Sequence, residues 1–253
     1  MIENEKIEKA FGFVVLLDAL GASAYDLEAS KEFIKNSMQF LEILNGKLEL
    51  FKKIGVYAEP KFFVFGDTIL LTINTGKASN LHYLLLAVAE WLRPAILAGL
   101  SNKILWRGAV SIGSYLSTDK VAIGPAVADA AFWYEKPQMF GIVATPTCGI
   151  YLDHLNEQFI ENHKSRIISD EFTLEDSFFK YDVPLKNNMF QTMWTVAWPR
   201  VFQCLKNIDK GKGHSPLELY YSLLQDFSIA PSAEAKYINS EKYFKDYLKQ
   251  HPL

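Results

Sequence analysis

Cysteine is scarce. The 253 residues contain two, Cys148 and Cys204, too few for a disulfide framework. Both lie in apolar surroundings and read as reduced core residues. The apolar run Phe11–Leu17 is too short to span a bilayer. The N-terminal segment MIENEKIEKA mixes charges of both signs and lacks the basic-then-apolar order of a targeting signal. A reducing cytoplasm is the expected compartment. Positive charge is not in excess either. Lys and Arg total 26 against 29 acidic residues, for a net charge of -3 and a pI near 6.0. That balance argues against a nucleic-acid or anionic-membrane partner. No Gly/Ser/Pro-rich linker, internal repeat or low-complexity stretch divides the chain.

Several catalytic signatures are also missing. His82, His154, His163, His214 and His251 show no metal-ligand spacing with each other or with the cysteines. There is no Gly-x-Ser-x-Gly elbow and no Walker-type glycine loop. Gly211-Lys212-Gly213 reads as a solvated basic turn. What remains is ordinary for a globular protein: 49% apolar and 22% charged residues, enough for a sizeable core. The length is long for one compact domain and short for two full ones.

The pattern along the chain is informative. Phe11–Leu17 (FGFVVLL) is a continuous apolar run suited to a strand buried on both faces. Residues 28–52 carry Phe33, Ser37, Leu41, Leu44, Leu48 and Phe51 at helical spacing. Lys61–Phe65 and Thr68–Ile73 flank Gly66-Asp67 as a hairpin. A second helix is expected over 79–98, with Ser79 as its N-cap, then a strand over Ile104–Gly113. Pro125 can open a helix over 125–135, and Gly141–Ala144 is a further strand. Residues 156–177 are polar and read as a loop. Tyr181–Trp198 reads as a hairpin returning to the sheet, and 216–227 and 240–250 as helices. Trp194, Trp198 and Tyr220-Tyr221 concentrate aromatic character in this tail. They can form a dimer surface or extra core.

The β-α-β-β-α-β order predicts an α+β fold of ferredoxin-like or palm type: an antiparallel sheet with both helices on one face. We divide the chain into a core, 1–155, and a C-terminal extension, 156–253, packing on the same domain. With right-handed crossovers the hairpin strand Thr68–Ile73 lies between the other two. Asp18 ends the first strand and Asp67 sits in the hairpin, so topology brings them to one end of adjacent strands. Paired carboxylates repel one another. A hard cation relieves this, and Mg²⁺ favours one or two carboxylates plus substrate phosphates. The plainer reading of each aspartate is a turn residue bonding its local backbone.

Three segments carry a family resemblance. Asp18-Ala19-Leu20-Gly21-Ala22-Ser23 resembles a metal aspartate followed, after two residues, by Gly-x-Ser/Thr. Phe65-Gly66-Asp67 resembles the hairpin with the second metal aspartate. Arg107-Gly108-Ala109-Val110-Ser111-Ile112-Gly113 resembles the next-strand pattern of Arg, five residues, Gly. Gly124-Pro125-Ala126-Val127 then resembles the start of the following helix. Residues 13–145 thus resemble the class III nucleotidyl cyclases. They look most like the bacterial pyrimidine cyclases of anti-phage signalling, which make cyclic CMP or cyclic UMP.

The resemblance implies roles. Asp18 and Asp67, with the backbone of Ala19, would hold two Mg²⁺ or Mn²⁺ ions. Leu20, Gly21, Ala22 and Ser23 would cradle phosphate through backbone N–H groups. Arg107 would contact phosphate through its fork, against the alternative of a surface arginine on an edge strand. Lys186 falls where the family has a late lysine contacting the triphosphate. Phe63 and Tyr57 are the base-side residues; a core phenylalanine and a turn-flanking tyrosine are their plainer readings. The substrate would be a nucleoside triphosphate, the assembly a homodimer with sites between subunits, and no nucleic acid or membrane would be involved.

The departures are specific. The transition-state Asn and Arg of purine cyclases fall on Ala128 and Phe132. The adenine-selecting lysine falls on Phe63. Either the base is not adenine, with another group replacing the arginine, or the domain is a catalytically degenerate relative that binds nucleotide or mediates assembly. Asp129 and Glu135 are either helix-surface charges or residues reaching across a dimer. A Gly-Gly-Asp/Glu-Glu-Phe signature is absent, which weighs against a dinucleotide cyclase.

Overall fold

The computed structural model describes residues 6–21, 26–53, 59–76, 81–163, 177–208, 214–225, 227 and 233–252. Its frame is the expected β-α-β-β-α-β unit: β1 (Glu8–Ala19), α1 (Leu27–Lys53), β2 (Glu59–Phe65), β3 (Thr68–Asn74), α2 (Leu81–Ser101) and β4 (Trp106–Ser117). Then follow β5 (Ala122–Ile123), α3 (Pro125–Trp133), β6 (Gly141–Ala144) and α4 (Pro146–His163). The chain continues through β7 (Phe178–Pro184), β8 (Phe190–Val196), α5 (Arg200–Ile208), α6 (Pro216–Leu224) and α7 (Glu234–Gln250).

Among the described residues one sheet holds every strand in the order β2-β3-β1-β4-β6-β8-β7, with β5 on β4. As the topology requires, β3 lies between β1 and β2 and runs antiparallel to both. β1 also runs antiparallel to β4. The purely antiparallel expectation fails at one place, because β6 joins β4 in parallel. The α3 connection crosses a sheet face and returns the chain in the same direction. The β7–β8 hairpin then extends the sheet from β6.

β1 explains the layering. Its continuous apolar run alternates faces. Phe13, Val15 and Leu17 join the main core with Phe33 of α1 and Leu84, Leu85, Val88 and Leu92 of α2. Val14 and Leu16 face the other way and meet Ala126 and Ala130 of α3. Both α1 and α2 therefore cover one face, and α3 the other. Among the described residues the α2 window Leu84–Ser101 is long and apolar enough to cross a membrane, but 72% of it is buried in the fold.

The tail is extra core. Trp198, Phe202, Tyr220, Tyr243, Phe244 and Tyr247 are fully buried. Tyr220 stacks on Phe244 with centroids 4.5 Å apart, and Trp198 lies 5.4 Å from Phe244. Such pairs add about 0.5–1.5 kcal/mol beyond their area. Three local expectations differ from the structure. Residues 156–163 continue α4 rather than a loop, since Cys148, Tyr151, Leu152 and Leu155 give an inward stripe at helical spacing. Cys204 is exposed, while Cys148 is buried as expected. α7 also begins earlier than residue 240, because Tyr237 extends the buried stripe of Ser240, Phe244 and Tyr247.

Candidate active site

The site forms where β1 stops being apolar. Asp18 is the register partner of Thr68 in β3 on one side and of Arg107 in β4 on the other. Gly66 and Asp67 make the β2–β3 turn, with Gly66 at φ 58°, a left-handed conformation that glycine adopts without steric cost. The Ala19 N–H donates to the Asp67 carbonyl at 3.1 Å, and the Leu20 N–H donates to the Leu105 carbonyl at 2.9 Å. These bonds tie the end of β1 to the hairpin tip and to the start of β4. Asp18 and Asp67 are thereby held at one end of the sheet.

Gly108 sets the close approach of β4. A Cβ there would strike the Leu16 carbonyl and the Leu17 side chain. With no side chain at 108, Arg107 stands directly across from Asp18. Its Nη2 donates to Oδ2 of Asp18 at 2.6 Å, with 10% and 14% of the two side chains exposed. Nη1 reaches the Glu135 carbonyl at 3.5 Å, and Cζ sits 5.7 Å from the Tyr134 ring centroid, within cation–π range. The buried Nε has no partner among the described residues. Arg107 is thus an interior residue of a central strand, which removes the edge-strand surface alternative.

Burial raises the Asp18 pKa above the ordinary carboxylate value. The Arg107 hydrogen bond and charge oppose this, while the negative Asp67 and Glu135 add to it. The Tyr134 pKa is raised by burial first, then by Glu135, Asp18 and Asp67. Three carboxylates therefore share one electrostatic neighbourhood. Among the described residues no donor pairs with Oδ1 of Asp18 or with the Asp67 carboxylate, and no three His, Cys, Asp or Glu side chains form a metal cage. Two carboxylates open to a cation, without a dedicated cage, suit Mg²⁺ or Mn²⁺ that completes its shell with water and phosphate.

Lys186 lies in the 3₁₀ turn Lys186–Asn188 between β7 and β8. Its Nζ is 3.3 Å from Oε2 of Glu135, an exposed pair worth at most about 1 kcal/mol. Its N–H donates to the Lys136 carbonyl at 3.2 Å, and the Gln138 N–H donates to the Pro184 carbonyl at 2.7 Å. The segment 135–140 therefore links Arg107 to the β7–β8 hairpin.

The other predicted residues are distributed as follows. The N–H groups of Ala19 and Leu20 are engaged within the fold, so a backbone phosphate cradle falls to Gly21 and the residues after it. Ala22, Ser23 and Tyr57 lie outside the described residues, as do Ser79 and the Gly211-Lys212-Gly213 turn. Phe63 is half-buried on β2 opposite Leu70, on the face away from Phe62, which packs on the main core. Asp129 accepts from the Thr145 hydroxyl at 2.6 Å. Glu135 pairs with Lys186. Ala128 and Phe132 lie on the exposed side of α3, with the Lys136 Nζ 4.3 Å from the Phe132 ring centroid.

Lys236 of α7 falls outside the helix that the sequence pattern places at 240–250. Burial lowers its ammonium pKa, and the positive Arg107 and Lys186 lower it further; Asp18 opposes them. The buried stripe through Tyr237, Ser240, Phe244 and Tyr247 was the available signal.

No protein-family model matches the chain, and no curated protein does at a significant level. Solved structures that resemble it include two bacterial cyclases. The adenylyl cyclase CyaB from P. aeruginosa is 12% identical with a TM-score of 0.38, over 76% of this chain and 95% of that one. A bacterial light-regulated adenylyl cyclase is 12% identical with a TM-score of 0.39, over 88% of this chain and 59% of that one. Likeness at this level says nothing of this chain's chemistry, which must come from its own residues.

Proposed function

We propose that the protein is a nucleotidyl cyclase, converting a nucleoside triphosphate to a 3′,5′-cyclic nucleotide and pyrophosphate. The observation that carries this reading is the hydrogen bond from Ala19 to the Asp67 carbonyl. It brings two carboxylates together at a strand end, beside Arg107 on Asp18. In the reaction the ribose 3′-hydroxyl gives its proton to solvent water and its oxygen attacks the α-phosphorus. A new P–O bond forms, the bond to the β-phosphate bridging oxygen breaks, and pyrophosphate leaves. Asp18 and Asp67, with the Ala19 backbone, would hold Mg²⁺ or Mn²⁺. Two such ions supply activation of the 3′-hydroxyl and neutralisation of the triphosphate charge. Arg107 would turn its fork from Asp18 to a phosphate oxygen, and Lys186 would leave Glu135 for the same triphosphate. Gly21, Ala22 and Ser23 would offer backbone donors.

The finer reading is a cytoplasmic homodimer with a pyrimidine substrate. Phe63 supports the base preference, because a phenylalanine offers no polar selection of adenine where the resembling family has a lysine. Tyr57 and Phe63 would line the base. Residues 1–155 would form the cyclase core and 156–253 the extension. A second reading, a silent nucleotide-binding relative, is favoured by one observation: Ala128 and the 59%-exposed Phe132 offer no donor to a developing phosphate charge.

Incubation of purified protein with each of the four ribonucleoside triphosphates and Mn²⁺, read by mass spectrometry, decides between them. A cyclic monophosphate lost in Asp67→Ala is the expected result and names the base. No product from any triphosphate, with metal-dependent binding retained, leaves the silent domain.

A further inference from the structure

The segment 135–140 organises more positive charge than its own sequence contains. The Glu135 carbonyl receives Arg107, and the Glu135 carboxylate receives Lys186. Farther along, the Gln138 carbonyl accepts from Nδ2 of Asn239 at 2.7 Å, and the Phe140 N–H donates to Oγ of Ser240 at 2.8 Å. The last two bonds dock α7, one turn after Lys236. The next residue, Gly141, is the register partner of Arg107. Arg107, Lys186 and Lys236 therefore all hang on one short strap.

The three cations are not equally balanced. Arg107 is answered by Asp18 and Lys186 by Glu135. Among the described residues no carboxylate lies within ion-pairing distance of Lys236. The residue is half-buried, and burial, Arg107 and Lys186 disfavour its charge more than Asp18 favours it. An unpaired, partly desolvated cation beside two others is unfavourable until an anion arrives. The backbone of Lys236 is also fixed: its carbonyl accepts from Ser240 Oγ at 2.7 Å, and Tyr243, Phe244 and Tyr247 bury the rest of the helix. A cation carried on an anchored helix beside Arg107 and Lys186 has less backbone freedom to lose when an anion binds.

We infer that Lys236 is a binding residue for the polyphosphate of the substrate, so that the C-terminal helix completes a cradle begun by Arg107 and Lys186. This rests on reading the site as a triphosphate site. It gives the extension a task that the β-α-β-β-α-β core cannot perform alone.

The test is calorimetric binding of magnesium tripolyphosphate, which has no base or ribose, to the full chain. Lys236→Met is expected to weaken it about ten-fold, with Lys236→Gln as a second truncation. Lys236→Arg keeps the charge and should stay within about three-fold of wild type. Lys249→Met, an exposed position on the same helix, should leave binding unchanged. Equal binding by wild type and both truncations overturns the inference, as does no binding by wild type. Equal weakening in Lys249→Met overturns it too, since the effect is then general charge. Product formation is scored separately. Absent product with Lys236-dependent binding removes the cyclase reading and keeps the role of Lys236; normal product with Lys236-independent binding does the reverse.

Discussion

Arg107 and Asp18 face each other across the β1–β4 ladder, and Nη2 of Arg107 donates to Oδ2 of Asp18 at 2.6 Å from nearly full burial. Each is the other's main compensation. Removing one partner of a buried pair leaves an uncompensated charge costing about 3–5 kcal/mol, and the residual exposure here puts the cost at the lower end. In a double-mutant cycle by urea unfolding, Asp18→Ala and Arg107→Met should each destabilise strongly. The double variant should lose less than their sum, with coupling of about 1–3 kcal/mol. Additive losses would show the pair to be energetically silent.

The two aspartates should separate in stability while agreeing in activity. Asp67 sits in a half-exposed turn where only its carbonyl is used by the fold. Asp67→Ala should therefore melt within a few degrees of wild type, for a change of about 0.5 kcal/mol, and form no cyclic product. Asp18→Ala should be inactive and clearly less stable. Unchanged turnover in both would remove the metal assignment.

Gly108→Ala tests the close approach that aligns Arg107. The added methyl meets the Leu16 carbonyl and the Leu17 side chain, and overpacking of this kind costs about 1–3 kcal/mol. A lowered urea midpoint with an unchanged m-value is expected.

Ser240→Ala tests the docking of α7. It leaves the buried Phe140 N–H without its acceptor, a cost of about 1–3 kcal/mol. Hydrogen exchange should quicken at Phe140, and tripolyphosphate binding should weaken with Lys236 unaltered. Wild-type protection at Phe140 would contradict the bond's role.

Alkaline stability should follow the buried tyrosines. Burial pushes the Tyr115 pKa up to about 12, and burial raises Tyr181, Tyr220 and Tyr243 as well. Each folded pKa lies above the unfolded value near 10. The folded state thus holds more protons in that window, and stability is complete below about pH 10 and falls as pH rises. Tyrosinate absorbance at these positions should appear together with loss of circular dichroism. A smooth titration of all twelve tyrosines with the fold intact would contradict this.

Much of the frame was legible because local pattern and tertiary role coincide. Phe13–Leu17 is apolar throughout because this stretch of β1 is covered on both faces. Gly66 marks a turn because its φ is 58°. α4 was not legible because Cys148, Tyr151, Leu152 and Leu155 supply only a short stripe and polar residues follow. The stripe Tyr237, Ser240, Phe244 and Tyr247 marks the helix that carries Lys236, but nothing local marks the lysine itself as lying near Arg107.

The sequence by itself determined the β-α-β-β-α-β order of the core, the buried central strand and the placement of Asp18 and Asp67 near strand ends, since periodicity and turn chemistry are local properties. Only the tertiary structure decided that Arg107 is interior and bonded to Asp18, that β6 runs parallel to β4, and that α7 returns to set Lys236 beside them. Those outcomes depend on register and on packing between residues far apart in the chain, where burial and neighbouring charge, not residue type, fix what a side chain can do.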